Sequence, residues 1–327
     1  MTSLRNAILA TLAYYNAMSY PLSLFEIRKY LIHPERLGAK KWREFSYEDI
    51  SAELRSLEKK ELVNSYHSFY FIGPCHDMAE LRINRQKIAD RKWKKTLRAV
   101  KYMNSIPYVL AVFGSGSLAL NNTKQESDLD ILIVAKSGRI WTTRMLVSLV
   151  MSLLGVRRTK TDTVAPDKIC LNHYVTDVSL KIPHQSMYCA HLYAHLIPVL
   201  LRDEAMVYKF KKENNWMKNY LYNWKEEGEQ HLKTLKPSPK MNKTAVFLET
   251  VLDGKIGNWL EGYFKKVQLK RINSDPNTNK SGGRATFNDM ELEFHPSSPE
   301  KGILERYNAT IAALGINRLE KDSGLIP

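Results

Sequence analysis

The sequence predicts an α/β core with helical regions on both sides, and three observations predict it. Between Tyr108 and Ile182, short apolar runs alternate with amphipathic stretches, the pattern of strands and helices in turn. Ahead of that stretch lie three helix-like segments and two short strand-like ones. After it, helical spacing dominates. The 327 residues suit two or three domains of roughly 100–200 residues each. The expected divisions are 1–75, a linker helix over 76–106, a core over 107–183 and a helical region over 184–327.

In the first division, LRNAILATLAYYNAM places Leu4, Ile8, Leu9, Leu12 and Ala13 at helical spacing. SLFEIRKYL fits a second, short helix. YEDISAELRSLEKKEL fits a third, with Ser46 as N-cap, Asp49 completing a capping box, and Ile50, Leu54 and Leu57 in one apolar stripe. LVNSYHSFYFI reads as two strands around a turn near His67. Three helices followed by a hairpin resemble a winged helix-turn-helix domain. That resemblance implies nucleic-acid binding. The third helix, however, sets Glu48, Asp49, Glu53, Glu58 and Glu61 against Arg55, Lys59 and Lys60, a poor match for phosphates. Contact with a protein or another domain is the alternative.

CHDMAELRINRQKIADRKWKKTLRAVKYMNSIP reads as one long helix stopped before Pro107. Arg82, Arg85, Lys87, Arg91, Lys92, Lys94, Lys95, Arg98 and Lys101 stand against Asp77, Glu80 and Asp90, so much of the net charge of +15 sits here. Two readings fit: a solvated linker helix, and a contact for the phosphates of RNA or DNA. Ile83, Ile88, Trp93, Leu97 and Val100 are its candidate packing residues.

In the core, YVLAVFG, DLDILIVA and KICLNHYV read as strands, SGSLALNN as the start of a helix and IWTTRMLVSLVMSLLG as a longer one. Beyond it, MYCAHLYAHLIPVLL, AMVYKFKKENNWMKNYLYNW and MNKTAVFLETVLDGKIGNWLEGYFKKVQLKRI show helical periodicity, interrupted at KPSPK. A flexible loop is expected near 273–284, a short strand in DMELEFHP and a final helix in EKGILERYNATIAALG.

Hydrophobic residues make up 44% and charged residues 25%, enough to bury a core without disulfide or metal staples. Cys75, Cys170 and Cys189 form no CxxC or Cys/His pattern and read as free thiols of a reducing compartment. MTSLRNAILATLAYY is interrupted by polar residues and does not read as a signal peptide. MLVSLVMSLLG and HLIPVLL fall short of the ~20 residues that span a bilayer. The expectation is a cytoplasmic protein without a membrane partner.

The most informative stretch is AVFGSGSLALNNTKQESDLDILIVA. Gly114 ends a strand, and its missing side chain would let backbone approach a phosphate. Ser115 and Ser117 add hydroxyl donors at the start of the following helix. Asp128 and Asp130 lie two residues apart on a strand and so project from one face, while Leu129 and Ile131 pack inward. Adjacent carboxylates suit a hard divalent cation, Mg²⁺ or Mn²⁺.

Phe113-Gly114-Ser115, a spacer of 12 residues, then Asp128-Leu129-Asp130-Ile131 resemble the signature of the DNA polymerase β-type nucleotidyltransferase superfamily. The resemblance implies a polymerase β-like α/β domain in which Asp128 and Asp130 hold the metal. It also implies NTP binding by Gly114, Ser115 and Ser117, and transfer of a nucleoside monophosphate to an acceptor. The family's third acid is expected on the strand KICLNHYV, where Asn172 stands instead. Asn172 is therefore a candidate catalytic residue and a departure from the pattern. Asp167 and Asp177 are the nearest acids, and His173 is either a base or a structural histidine. Arg144, Arg157, Arg158 and Lys168 are candidate partners of the triphosphate. Three readings remain open: a nucleotidyltransferase acting on nucleic acid, one that modifies protein, and a nucleic-acid- or partner-binding regulator with a degenerate nucleotidyltransferase fold.

Overall fold

A computed structural model describes residues 2–73, 77–159, 162, 164–225, 232–275, 284–295 and 298–316. Cys75 and most of the loop expected near 273–284 lie outside these residues.

The first helices form where the sequence caps them. α1 (Thr2–Asn16) buries Ile8, Leu12, Tyr14 and Tyr15. α2 (Leu24–Lys29) opens with a Ser23/Glu26 capping box, and α3 (Tyr47–Lys59) with the Ser46/Asp49 box expected from its sequence. β1 (Asn64–Tyr66) and β2 (Phe69–Phe71) pair antiparallel through a two-residue turn. His67 and Ser68 take φ of 50° and 62° in that turn, the left-handed geometry that matches the twist of a tight hairpin. Ile50, Leu54 and Leu57 of α3 close on α1 and α2.

α4 (Asp77–Val100) is the long helix read from the sequence, continued by a 3₁₀ turn over Lys101–Ser105. Two of its cations are buried. Arg82 pairs with Glu26 at 2.6 Å, and Lys92 donates to Asp167 and to the carbonyl oxygens of Gln125 and Ser127. The expectation that Arg82 and Lys92 add to a solvated or nucleic-acid-binding face is corrected: both hold neighbouring elements to the helix.

A six-stranded mixed sheet forms the centre. It contains β3 (Val109–Gly114), β4 (Leu129–Ala135), β5 (Ile169–Thr176), β6 (Ile197–Leu201), β7 (Arg284–Phe287) and β8 (Glu291–His295), in the order β6-β3-β4-β5-β8-β7. Among these described strands, only β4 and β5 run parallel. A parallel pair needs a crossover, and α6 (Ile140–Leu153) lies between them in the chain and packs on β5. Within the core, α5 (Gly116–Ala119) is a single turn.

The last third is not the purely helical region expected, since it contributes β6, β7 and β8 to the sheet. HLIPVLL, read as the end of a helix, splits: α7 (Met187–Ala194) stops and Ile197–Leu201 pairs with β3. The β-branched residues Ile197 and Val199 and the proline between them favour an extended chain. α8 (Ala205–Glu213) is shorter than the stretch expected from AMVYKFKKENNWMKNYLYNW, which continues as a 3₁₀ turn over Asn215–Asn219. The stretch from Met241 breaks at Leu252 and Asp253 into α9 (Pro239–Val251) and α10 (Gly254–Asn273), and α11 (Glu300–Ala313) lies where it was expected. α11 packs on α1, so Ile303, Leu304, Tyr307 and Ile311 belong to the same apolar core as the N-terminal helices. Among the described residues, no helix is long and apolar enough to cross a membrane.

Candidate metal and nucleotide site

β3 and β4 place the motif. Gly114 pairs with Ile131, and the Ser115 N–H donates to the Asp130 carbonyl at 3.0 Å, so the turn after β3 lies beside the start of β4. Leu129 and Ile131 are buried, while Asp128 and Asp130 are half-buried on the other face. On the adjacent parallel strand, Cys170 is the register partner of Asp130. One ligand atom from each of Asp128, Asp130 and Cys170 lies within 4.8 Å of the others.

Burial and the charge of Asp128 push the Asp130 carboxyl up to about 7, against the pull of Asn172 and Arg158. Burial, with the charges of Asp130 and Asp128, also raises Cys170, which stays a neutral thiol at pH 7. Asn172 Nδ2 donates to Asp130 Oδ1 at 3.1 Å, and Arg158 forms an ion pair with Asp128.

The glycines divide the work differently from expectation. A Cβ at Gly114 would meet the Trp93 ring at 2.4 Å, so glycine there makes room for α4. This packing reason stands beside the phosphate-approach reason expected for Gly114. Gly116 is the glycine facing the carboxylates: its φ is +59°, and a Cβ on it would sit 2.5 Å from Asp130 Oδ2. Ser115 precedes α5 without making a side-chain cap, and Ser117 faces a cavity of about 490 Å³.

Of the four candidate cations, only Arg158 reaches the motif. Arg144 bonds Gln268 and stacks over Phe294, Arg157 lies near Ser152, and Lys168 donates to the Gly155 carbonyl. The candidate substitutes for the third acid lie elsewhere. Asp167 is held by Lys92 and Lys95, and Asp177 accepts from the Ser137 N–H at 2.7 Å. His173 is buried between Glu291, at 3.1 Å, and Tyr193, which favours its structural reading.

Sequence reasoning missed His295 on β8. Its Nδ1 lies 3.4 Å from Asn172 Nδ2, and its Nε2 lies 3.4 Å from Glu293. Burial lowers the His295 imidazole to about 4, so it is neutral at pH 7. Nothing local in the sequence links it to Asp130. Cys170 carried a usable signal, since it sits two residues from Asn172 and therefore on the same strand face. Gly116 was also legible as the second glycine of Gly114-Ser115-Gly116-Ser117.

Comparison with protein-family models, with curated proteins and with solved structures finds no match to this chain.

Proposed function

We propose that the chain is a metal-dependent nucleotidyltransferase that moves a nucleoside monophosphate from an NTP to an acceptor hydroxyl on nucleic acid. In this reading residues 1–75 form a winged helix-like domain, residues 107–183 a polymerase β-like core, and the protein is cytoplasmic. The observation that carries the reading is the convergence of Asp128 and Asp130, with Gly116 against the Asp130 carboxylate.

The donor set fits Mg²⁺ or Mn²⁺. Asp128 and Asp130 would hold the ion, because they offer hard oxygens that repel each other in its absence, whereas the soft sulfur of Cys170 suits neither Mg²⁺ nor Mn²⁺. When bound, the ion neutralises triphosphate charge and lowers the pKa of an attacking hydroxyl. Ser115 and Ser117 provide hydroxyls for the phosphates, and Arg158 provides a guanidinium beside Asp128. For the acceptor, Lys87, Arg91, Lys94 and Arg98 are exposed and share one face of α4, spaced to follow a phosphate backbone.

One observation favours a second reading, a binding protein with a degenerate core: the neutral amide of Asn172 contacts Asp130 where the family places an acid. The two are separated by incubating the protein with each NTP labelled at the α-phosphate, Mg²⁺ or Mn²⁺, and fractions of RNA, DNA and protein. Label in RNA or DNA is expected. Label in protein alone would replace the acceptor class. NTP binding with no label in any fraction would support the degenerate reading.

A further inference from the structure

A surface helix ordinarily buries one apolar stripe and turns polar side chains to water. α10 packs Phe264, Leu269 and Ile272 into the core around the sheet. Its outer side nevertheless carries Ile256, Trp259, Tyr263 and Val267, all exposed, with Ile256 62% and Trp259 67% open to solvent. At ~3.6 residues per turn these four positions fall within about 80° of arc, so they form one stripe along the helix. Trp259 and Tyr263 stack at 5.7 Å within it. On α9, Val246, Phe247 and Val251 are likewise exposed, Phe247 by 66%. Apolar residues gathered on a surface in this way mark a contact with a partner.

The charges of the two helices are sorted by side. The one acid of α10, Glu261, points inward and accepts from the Trp141 and Thr142 N–H groups at the start of α6. The one acid of α9, Glu249, accepts from the Tyr108 N–H and pairs with Arg202. Asp253, between the helices, is exposed. Against it α10 exposes Lys255, Lys266, Lys270 and Arg271, and α9 exposes Lys240 and Lys243. Lys255 and Lys266 lie along one edge of the α10 stripe and Arg271 along the other. Apolar side chains edged by cations fit a partner that is apolar within and anionic at its surface.

We infer that the outer face of α9 and α10 docks on an anionic lipid bilayer. Phe247, Ile256, Trp259 and Tyr263 enter the headgroup region, and the flanking lysines meet the anionic headgroups. A second copy of this chain would set the same cations against each other. A nucleic acid would meet the charges, but Val246, Val251, Ile256 and Val267 have no ring to stack on a base. A bilayer surface uses both properties. Among the described residues no helix can cross a membrane, so the contact is made at its surface. The length of apolar runs, which argues against a spanning segment, does not bear on a face assembled from alternate turns of two helices. Docking of this kind does not depend on the nucleotidyltransferase reading.

The test is co-sedimentation of the full chain with vesicles of phosphatidylcholine alone and of equal parts phosphatidylcholine and phosphatidylglycerol. The chain should bind the mixed vesicles, bind the neutral ones weakly, and be released by salt. A net charge of +15 would by itself draw the chain to an anionic surface, so the deciding variants keep every charge. Trp259→Ser and Phe247→Ser should each weaken binding to the mixed vesicles by about tenfold or more. Both positions are exposed, and circular dichroism checks that both variants fold. Changing Lys255, Lys266 and Lys270 to Gln should weaken binding by about fivefold per charge. Phe25→Ser, which removes an exposed ring from α2, should leave it unchanged. No binding to the mixed vesicles, wild-type binding in folded Trp259→Ser and Phe247→Ser variants, or an equal loss in Phe25→Ser would each overturn the inference. A dimer, or retention of short single-stranded RNA, that Trp259→Ser abolishes while vesicles are not bound would also overturn it and give the face to that partner.

Discussion

Asn172 donates its side-chain amide to Asp130 at 3.1 Å, from the strand on which the proposed nucleotidyltransferase reading would have an acid. The amide eases the burial of Asp130 without adding charge. An Asn172→Asp variant would place a third carboxylate beside two others. The metal-free variant should melt several degrees lower than wild type, and saturating Mg²⁺ should raise its melting temperature more than it raises that of wild type. Equal Mg²⁺-induced shifts in the two proteins would show that position 172 does not face the ion.

Gly114 and Gly116 should fail in different ways. Gly114→Ala forces a methyl into Trp93 and should destabilise the fold by about 1–3 kcal/mol, read by denaturant unfolding. Gly116→Ala puts a methyl against Asp130 Oδ2 at a left-handed φ, which itself costs about 1–2 kcal/mol. Its distinctive effect should be weakened Mg²⁺ binding in protein that remains folded. Equal metal affinity in Gly116→Ala and wild type would detach that glycine from the carboxylates.

The cations of α4 divide by burial. Lys92 anchors Asp167 and two carbonyls, so Lys92→Met should lower stability by about 2 kcal/mol or more, whatever ligand is present. Changing Lys87, Arg91, Lys94 and Arg98 to Gln should leave stability within about 0.5 kcal/mol per site. For short RNA or DNA, every cation that neutralises a phosphate adds about 0.7–0.9 to the slope of log affinity against log salt, so its removal should flatten that slope by the same amount. An unchanged slope in the quadruple variant would remove nucleic acid from that face.

The buried pair Glu26–Arg82 predicts an acid-sensitive joint between α2 and α4. Burial alone would raise Glu26, but the charge and hydrogen bonds of Arg82, with those of Ser23, bring it below its ordinary value. A carboxylate depressed in the folded state stabilises fully above its unfolded pKa of about 4.3, and that stability is lost as pH falls through the lower folded value. Glu26→Gln should therefore be less stable than wild type at pH 7, and its stability should fall less steeply below about pH 4.3. Parallel stability–pH curves for the two proteins would contradict this.

Local features of this fold were legible in the sequence, and long-range ones were not. The Ser46/Asp49 capping box, the hairpin turn at His67 and the strands carrying Gly114 and Asp130 depend on neighbours a few residues away, and the structure has them where the sequence implied. β6 was hidden because an apolar run as short as HLIPVLL has no period that separates strand from helix; only its pairing with β3 decides. Lys92 resembles the other cations of α4 until the fold brings Asp167 and the Gln125 and Ser127 carbonyls to it. His295 reaches Asn172 only through the pairing of β5 with β8, a register that no local pattern specifies.

The role of Asp128 and Asp130 is tested most directly by calorimetric titration of an NTP, with and without Mg²⁺, into wild type and into the Asp128→Ala, Asp130→Ala double variant. Wild type should bind more tightly when Mg²⁺ is present, and the double variant should lose that metal-dependent gain, by roughly a hundredfold in affinity or label-transfer rate. Its fold should survive, because removing two mutually repelling, half-buried carboxylates relieves the repulsion at Asp130. A folded double variant that keeps the wild-type, Mg²⁺-dependent affinity would contradict the assignment of these two residues as the metal site.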